Sequence, residues 1–244
     1  MENKTSKYFK YAIGEIVLVV IGILIALQVN NWNENRKLET YEKQLLDQLK
    51  SDFNRNSKDL KLNIKLQNKI IHSSELILKH LENKLPYHDS LKVHFGNTVL
   101  WTKFIVNGGA YKTVESKGLD IISNIELRDL TFRIYNGDLN WLQQMEKTVI
   151  NTTENFLNNK ASKYFTAINS LSIKNNKIAK GNVQLIDYSK LISEEGNVYK
   201  LYLNSNKNKT KFLLRISKGY LDDNKKAIAM IQSILNNNKE LLND

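Results

Sequence analysis

The chain has 244 residues and a formal net charge of +11 at pH 7, but its lysines are scattered among acids and asparagines, which is typical of a solvated helical surface and argues against a nucleic-acid partner. It has no cysteine, which excludes disulfides, thiolate metal sites and thiol nucleophiles on this chain. One proline and ten glycines leave long stretches without a helix breaker and favour long helices over a sheet of many short strands.

The first predicted element is a transmembrane helix, residues 11–32, which follows a short basic tail, residues 1–10. Its unbroken apolar run from Ile16 to Leu27 covers only about 18 Å, so flanking residues must also enter a hydrocarbon core of roughly 30 Å. The ten Leu, Ile and Val residues of this run favour insertion by about 3–6 kcal/mol, which outweighs a cost of at most about 3 kcal/mol for Glu15. The lipid bilayer is therefore the first expected partner.

Aromatic residues flank this helix at the positions of an interfacial belt, Tyr8 and Tyr11 on one side and Trp32 on the other.

Two alternatives to a transmembrane helix remain open. A cleaved signal peptide would explain the basic start, but no small-x-small cleavage pattern follows Leu27, so an uncleaved signal anchor is favoured. A buried core helix is disfavoured, because a surface domain rarely places so many β-branched residues together at its N-terminus.

Charges on the two sides of the predicted span give its orientation. Three lysines precede it, Lys4, Lys7 and Lys10, and Arg36 and Lys37 follow it closely. This is a weak bias toward a cytoplasmic N-terminus, and a long domain after the span translocates largely regardless of its charge. The sequence therefore predicts a single-pass protein of the inner membrane with a periplasmic soluble domain.

One face of the predicted span carries a carboxylate and two small residues. At 100° per residue, Glu15 and Gly22 lie about 20° apart around the helix, and Ala26 lies about 40° from Gly22. Small residues permit close approach of another helix, so this face predicts contact with a second copy or another membrane protein. The alternative is a headgroup-level Glu15 beside small residues that face lipid.

Two stretches of the chain resemble a family. GEIVLVVIGILIALQVNNWNENRK, residues 14–37, resembles the N-terminal signature of an uncharacterised family of single-span membrane proteins from flavobacteria and their relatives, a domain of unknown function. AYKTVESKGLDIISNIELRDLTFRIY, residues 110–135, is similar to a segment of the same family in which a glycine separates two helices. The resemblance implies membrane location and class, and it brings no known activity, substrate or catalytic residue.

One soluble domain, residues 33–244, follows the span, and it begins with a predicted helix from Asn33 to Lys84 that can continue directly from the span. Leu85-Pro86 ends this helix. Polar residues at Asn56 and Gln67 interrupt its apolar stripe, which favours one face of a bundle over an extended coiled coil. The apolar stripe, with members 11 residues apart and neighbours beside them, consists of Leu38, Leu49, Leu60, Ile71, Tyr41, Leu45, Phe53, Ile64 and Leu78.

The next segment is ambiguous. TVLWTKFIV, residues 98–106, is as strand-like as it is helical, and the helical context alone favours a helix. A loop at residues 107–109 precedes a short predicted helix, residues 110–117, with Gly118 at its C-terminal cap.

A capping box starts the following helix. Ser123 and Glu126 have the S-x-x-E spacing, so this helix is expected to begin at Asn124, and Gly137 could kink it. Its predicted apolar face consists of Leu127, Leu130, Ile134, Trp141, Met145 and Val149.

The C-terminal third is also predicted to be helical. A polar run at residues 174–182 is expected to be a loop and a possible hinge, and Asp187 is expected to cap a short helix that ends near Gly196. A second polar break is expected at residues 204–208, before a final helix. The predicted fold class is therefore all-α, one transmembrane helix followed by a soluble bundle of long antiparallel helices.

No motif in the sequence predicts catalysis or the binding of a metal or cofactor. The four histidines, His72, His80, His88 and His94, lack any metal-ligand spacing, and no phosphate loop, nucleophile elbow or paired-carboxylate motif occurs. Asp222-Asp223 is expected to be a solvated turn on the last helix, and Trp101 and Trp141 are expected in the core. No catalytic, cofactor-binding or metal site is therefore predicted.

Two functions of different class remain. The first is a non-catalytic membrane protein whose helical extracytoplasmic domain is structural, an adaptor or sensory. The second is a membrane-anchored enzyme whose site is assembled from non-contiguous helices, which no motif would reveal. The absence of catalytic motifs favours the first.

Overall fold

One helix, α1 (Asn3–Glu82), runs through the predicted span and onward into the bundle without a break. The computed structural model describes residues 3–169, 173–174, 177–178 and 182–240. The part of α1 from Ile13 onward is long and apolar enough to cross a membrane by length and composition, and none of its apolar window is buried. It is compatible with a membrane anchor. The helix ends where Lys84 takes a left-handed φ of 50°, two residues before Pro86.

The other elements complete a nearly all-α fold in the described part of the chain. In chain order they are α2 (Leu91–Asn97), α3 (Gly109–Lys117), α4 (Ile125–Arg133), a π-helical segment (Ile134–Asp138), α5 (Leu139–Asn159), β1 (Phe165–Asn169), β2 (Ile173–Lys174), β3 (Lys177–Ile178), β4 (Asn182–Leu185), α6 (Tyr188–Ile192) and α7 (Asn197–Glu240), with short 3-10 helices at Leu119–Ile121, Ala161–Lys163 and Glu194–Gly196.

The two longest helices, α1 and α7, pack side by side in opposite directions. Gln67 Nε2 donates to Ser217 Oγ at 3.1 Å, and Glu75 forms an ion pair with Lys211 at 2.6 Å, so residue numbers fall along α7 as they rise along α1. Helix α7 also packs against α5. The predicted bundle of long antiparallel helices is confirmed.

The bundle has two apolar clusters, one near each end. The cluster nearer the span includes Phe53, which packs against the ring of Tyr135 with centroids 5.7 Å apart. The far cluster is aromatic and surrounds Tyr199, which is fully buried and shares a 3.0 Å hydrogen bond with Thr98 Oγ1. Most of the predicted stripe on α1 is buried, but Leu38 is 58% exposed because the packed bundle begins further along α1, near Leu45.

The expected helix at residues 98–106 is wrong, because this segment is irregular and extended. Asn97 bonds to Ser73, and the amide of Ala110 bonds to Asp52, so the chain must descend alongside about 31 Å of α1 between these points. Thirteen residues of helix would cover only about 20 Å, whereas an extended chain reaches about 43 Å. The distance to be covered therefore excludes a helix.

The expected loop at residues 174–182 is only partly right. A short antiparallel hairpin occupies this region, in which β1 pairs with β4 and β2 pairs with β3. Residues 175–176 and 179–181 lie outside the described residues. The possible hinge stays a prediction.

The expected break at residues 204–208 is wrong, since α7 runs straight through it. Asn206 is fully buried and donates to the carbonyl of Thr98 at 3.3 Å, and the hydroxyl of Thr210 donates back to the carbonyl of Asn206 at 2.8 Å. The polar run therefore forms a hydrogen-bonded helical face and not a loop.

Two helix boundaries follow the prediction closely. Gly118 ends α3 with a φ of 107°, a conformation that favours glycine, and Asp187 caps α6 by accepting from Ser189 N at 2.8 Å. The start of α4 differs by one residue. Asn124 is its cap, with Oδ1 accepting from Leu127 N at 2.8 Å, because Ser123 instead donates to Glu42 of α1.

Candidate functional site

The extended segment, residues 98–108, is held by side chains that bond to its backbone. Asp59 Oδ2 of α1 accepts from Ile105 N at 3.1 Å, and Glu146 Oε1 of α5 accepts from Phe104 N at 2.8 Å. An extended chain without a neighbouring strand needs such partners for its amides. We call Asp52, Asn56, Asp59 and Glu146 the polar groove, since they hold this segment between α1 and α5.

Three members of the polar groove share one face of α1. Asp52, Asn56 and Asp59 are separated by four and three residues, the spacing that aligns side chains along a helix. Asp52 Oδ2 accepts from Ala110 N at 3.0 Å in the first turn of α3. Free amides at a helix N-terminus are stabilised by a carboxylate, so Asp52 both ends the extended segment and starts α3.

Asn56 makes the most specific contact in the groove. It is fully buried, its Oδ1 accepts from Asn107 N at 2.7 Å, and its Nδ2 donates to the carbonyl of Asn107 at 3.0 Å. The Tyr135 hydroxyl donates to the same carbonyl at 3.0 Å. Asn56 therefore fixes both the position and the direction of the backbone at residue 107.

Glu146 is the most perturbed carboxyl of the groove. Its side chain is 3% exposed, and this burial raises the pKa of Glu146 to about 7, although the amide of Phe104 lowers it. Asp59 raises this pKa further and Lys103 lowers it. A buried carboxyl that titrates near neutrality is often functional, so Glu146 is the strongest candidate for a titrating group in the described residues.

Sequence reasoning missed this site, although part of its signal was present. Asn56 and Gln67 stood out as interruptions of an apolar stripe, and both bond to the extended segment or its neighbours, Gln67 through Thr102 Oγ1 at 3.0 Å. For Glu146 the signal was weaker, because the predicted apolar face of α5 was shifted by one residue from the face that is buried. The buried face carries Leu142, Glu146 and Val149, while Trp141 is 49% exposed.

The predicted face of the span is exposed along its length. Glu15, Gly22 and Ala26 all lie on the exposed surface of α1, and a Cβ at Gly22 would meet nothing within 4 Å. Contact with another helix therefore stays a prediction. Tyr8 and Tyr11 belong to α1, but their side chains lie outside the described residues.

Trp32 is exposed at the expected boundary of the span. Its side chain is 64% exposed, and the guanidinium of Arg36, one turn further along α1, lies 5.3 Å from the centre of its ring. An indole and a cation placed one turn apart suit a membrane–water interface, where the ring is partly apolar and the charge is solvated.

The histidines do not form a metal site in the described part of the chain. No group of three or more His, Cys, Asp or Glu side chains converges there. His72 and His94 lie edge to face with ring centroids 5.8 Å apart, and burial lowers the pKa of His94 below its usual range. His94 Nδ1 is hydrogen-bonded to Ser73 Oγ at 3.0 Å, and His88 Nδ1 to Ser90 Oγ at 2.9 Å.

One other expectation, the core position of the two tryptophans, is wrong. Trp101, like Trp141, is not in the core: it is 39% exposed because alternate side chains of the extended segment point outward. Asp222 and Asp223 lie on the last helix, α7, as expected, and Asp223 forms a 2.9 Å ion pair with Arg133. Gly137 lies in the π-helical segment, and the possible kink there stays a prediction.

The comparisons with known proteins give one match. Residues 15–192 match the model of a family of unknown function (DUF6090). The match includes residues 110–135 and nearly all of residues 14–37, the two stretches that carried the resemblance in the sequence. No curated protein and no solved structure matches the chain.

Proposed function

The chain belongs to this family of unknown function, and from its own geometry we propose a non-catalytic single-pass membrane protein whose helical domain is a structural, adaptor or sensory element outside the membrane. One observation supports the proposal most. Helix α1 is unbroken from Asn3 to Glu82, with an exposed apolar part at one end and bundle core at the other. The effect of a contact made by the span can therefore be transmitted to the bundle through a single helix.

Burial along α1 supports a division into three parts. Residues 13–32 are exposed and mostly apolar, and residues 34–40 are exposed and mostly polar. Burial begins at Leu45, which is 2% exposed. An apolar rod that no part of the described chain covers suits lipid, and the polar stretch suits a stalk of about 10 Å between the bilayer and the bundle.

The charges near the span support a direction for it. Lysines precede the apolar window, and only Arg36 and Lys37 follow it closely, so the N-terminus is proposed to be cytoplasmic. The bundle then lies in the periplasm, on the outer side of the inner membrane.

An anchored enzyme is the second candidate, and one observation favours it. Glu146 has a pKa near 7 and lies where α1, α5 and the extended segment meet, which is a site assembled from non-contiguous elements. Its carboxyl is 3% exposed and bonded to Phe104, so a substrate would reach it only after displacement of the extended segment. The non-catalytic proposal is therefore preferred.

The anchor is tested by membrane fractionation. The full chain is expected to stay with membranes after alkaline carbonate extraction. Replacing Val20 and Leu24 together by arginine costs about 6–7 kcal/mol of insertion energy, more than the apolar run provides, and is expected to release the protein. Leu38→Arg is the matched control, since Leu38 is as exposed as Leu24 but lies outside the window. Extraction of the unaltered chain into the soluble fraction would contradict the anchor.

The direction of the span is tested with a reporter fused after Asp244. An enzyme that is active only in the periplasm is expected to be active in this fusion, and one that is active only in the cytoplasm is expected to be silent. The reverse pattern would place the bundle in the cytoplasm.

The span is also proposed to contact a second copy or another membrane protein through Glu15, Gly22 and Ala26. Leucine at Gly22 and Ala26 would hold a neighbouring backbone away, so self-association in a membrane reporter is expected to fall. Glu15→Gln is expected to weaken it less, because glutamine keeps hydrogen bonding. Val20→Leu, on the opposite side of the helix, is the control. Unchanged association in the first two variants would leave this face without a packing role.

A further inference from the structure

Two parts of the chain that are distant in sequence, residues 87–92 and the strand pair that leads into α6, form a cleft at the end of the bundle farthest from the span. The cleft is open and shallow, with a volume of about 480 Å³. It is built by the connection between α1 and α2, by the β1–β4 hairpin and by the start of α6. The aromatic, charged and amide side chains that line it are Tyr87, Asp89, Lys92, Gln184, Asp187 and Tyr188.

Two tyrosine rings form an aromatic wall of the cleft. The centroids of Tyr87 and Tyr188 are 5.3 Å apart, with the planes inclined by 56°. The hydroxyl of Tyr188 donates to the carbonyl of Leu85 at 3.2 Å, which fixes its ring relative to the end of α1. Both rings are half-buried, so part of their surface is open to a ligand.

The polar groups of the cleft include both signs of charge. Asp89 forms a 3.1 Å ion pair with Lys92, and hydrogen bonding to Lys92 lowers the pKa of Asp89. Asp187 accepts from the amide and the hydroxyl of Ser189, both through Oδ1, and these bonds lower its pKa. Both carboxylates are therefore ionised at neutral pH and act as hydrogen-bond acceptors.

This combination selects against charged ligands. An anion would face the two carboxylates. The attraction for a cation is reduced because Asp89 is already neutralised by its ion pair with Lys92 and Asp187 already accepts two hydrogen bonds from Ser189. A neutral molecule with many hydroxyl groups can use the carboxylates as acceptors and Lys92 and Gln184 as donors at the same time. The tyrosine faces require that such a molecule also has an apolar surface.

We propose that this cleft is a saccharide-binding site. The apolar face of a sugar ring stacks against Tyr87 and Tyr188, and its hydroxyl groups bond to Asp89, Asp187, Lys92 and Gln184. The site does not depend on the membrane anchor. The saccharide proposal would therefore still hold if the protein were not anchored in a membrane.

The test is calorimetric titration of the full chain in a zwitterionic detergent that contains no sugar. The probes are a four-residue glucose oligosaccharide, a four-residue N-acetylglucosamine oligosaccharide, spermidine and citrate. Saturable binding of at least one oligosaccharide is expected, with neither charged probe binding more tightly. Tyr87→Ala is expected to weaken that binding by about tenfold or more, the scale of one lost aromatic contact.

Two further variants separate binding from folding. Gln184→Ala removes an exposed polar side chain and keeps both rings, so it is expected to weaken the oligosaccharide by a smaller factor. Trp141→Ala removes an exposed aromatic ring elsewhere and is expected to have no effect. The proposal is overturned by the absence of saturable oligosaccharide binding up to about 10 mM. Tighter binding of a charged probe, or equal binding by the Tyr87 and Trp141 variants, also overturns it.

Discussion

Replacement of Glu146 by glutamine is expected to stabilise the protein at pH 8 and to change its stability little at pH 4. The pKa of Glu146 is about 7 in the folded chain against 4.5 as its ordinary value, so between these values the folded state holds a proton that the unfolded state has released. The stabilising contribution of this proton is complete below pH 4.5 and is lost as pH rises through 7. Above pH 7 the folded state carries a buried charge at a cost of about 3 kcal/mol.

Glutamine removes this charge and keeps an oxygen that can accept from Phe104 N. The free energy of unfolding of Glu146→Gln is therefore expected to exceed that of the unaltered chain by up to about 3 kcal/mol at pH 8. Denaturant unfolding between pH 4 and pH 8 measures it. Glu154→Gln, at an exposed position of the same helix, is the control and should show no such pH dependence. A difference that is the same at both ends of the range would contradict a raised pKa.

Replacement of Asn56 by leucine is expected to destabilise the bundle by about 2–4 kcal/mol. Leucine has nearly the same size, but it can neither accept from Asn107 N nor donate to the carbonyl of Asn107. The carbonyl keeps the Tyr135 hydroxyl as a partner, whereas the half-buried amide of Asn107 loses its acceptor. The extended segment then has a weaker attachment to α1.

Urea unfolding compares Asn56→Leu with Asn54→Leu, whose exposed side chain bonds only to the carbonyl one turn earlier on α1. The control is expected to change stability by less than about 0.5 kcal/mol. Near-equal values for the two variants would show that the bonds to Asn107 contribute little to stability.

The helices of this fold were predictable because their periodic apolar residues recur over long distances. The 11-residue spacing of Leu49, Leu60 and Ile71 predicts α1 as one long packed helix, and Leu85-Pro86 predicts its end. Local capping chemistry was equally reliable at Asp187 and Gly118. Each of these signals lies within one helix or at its end, and the helices form as expected.

The polar groove was not predictable from the same signals, because its partners are far apart in sequence. The extended segment looks like a helix or a strand by itself, and its form is set by the distance it must cover beside α1. Asn56 looks like an interruption of an apolar stripe, and Glu146 has no sequence signal of its own, until the backbone amides that they bind are known. The break expected at residues 204–208 failed for the same reason, since Asn206 finds its partner on another segment.

The unbroken form of α1 gives the molecule the geometry of a lever. From Trp32 to Glu82 the helix contains neither proline nor glycine and rises about 75 Å. Spanning helices adopt a range of tilts that neighbouring helices and interfacial residues set. A change of about 10° in the tilt of the span would carry the far end of α1 sideways by about 13 Å, more than the diameter of a helix. With the anchor proposed above, a small reorientation inside the bilayer would therefore become a large displacement at the opposite end of the protein.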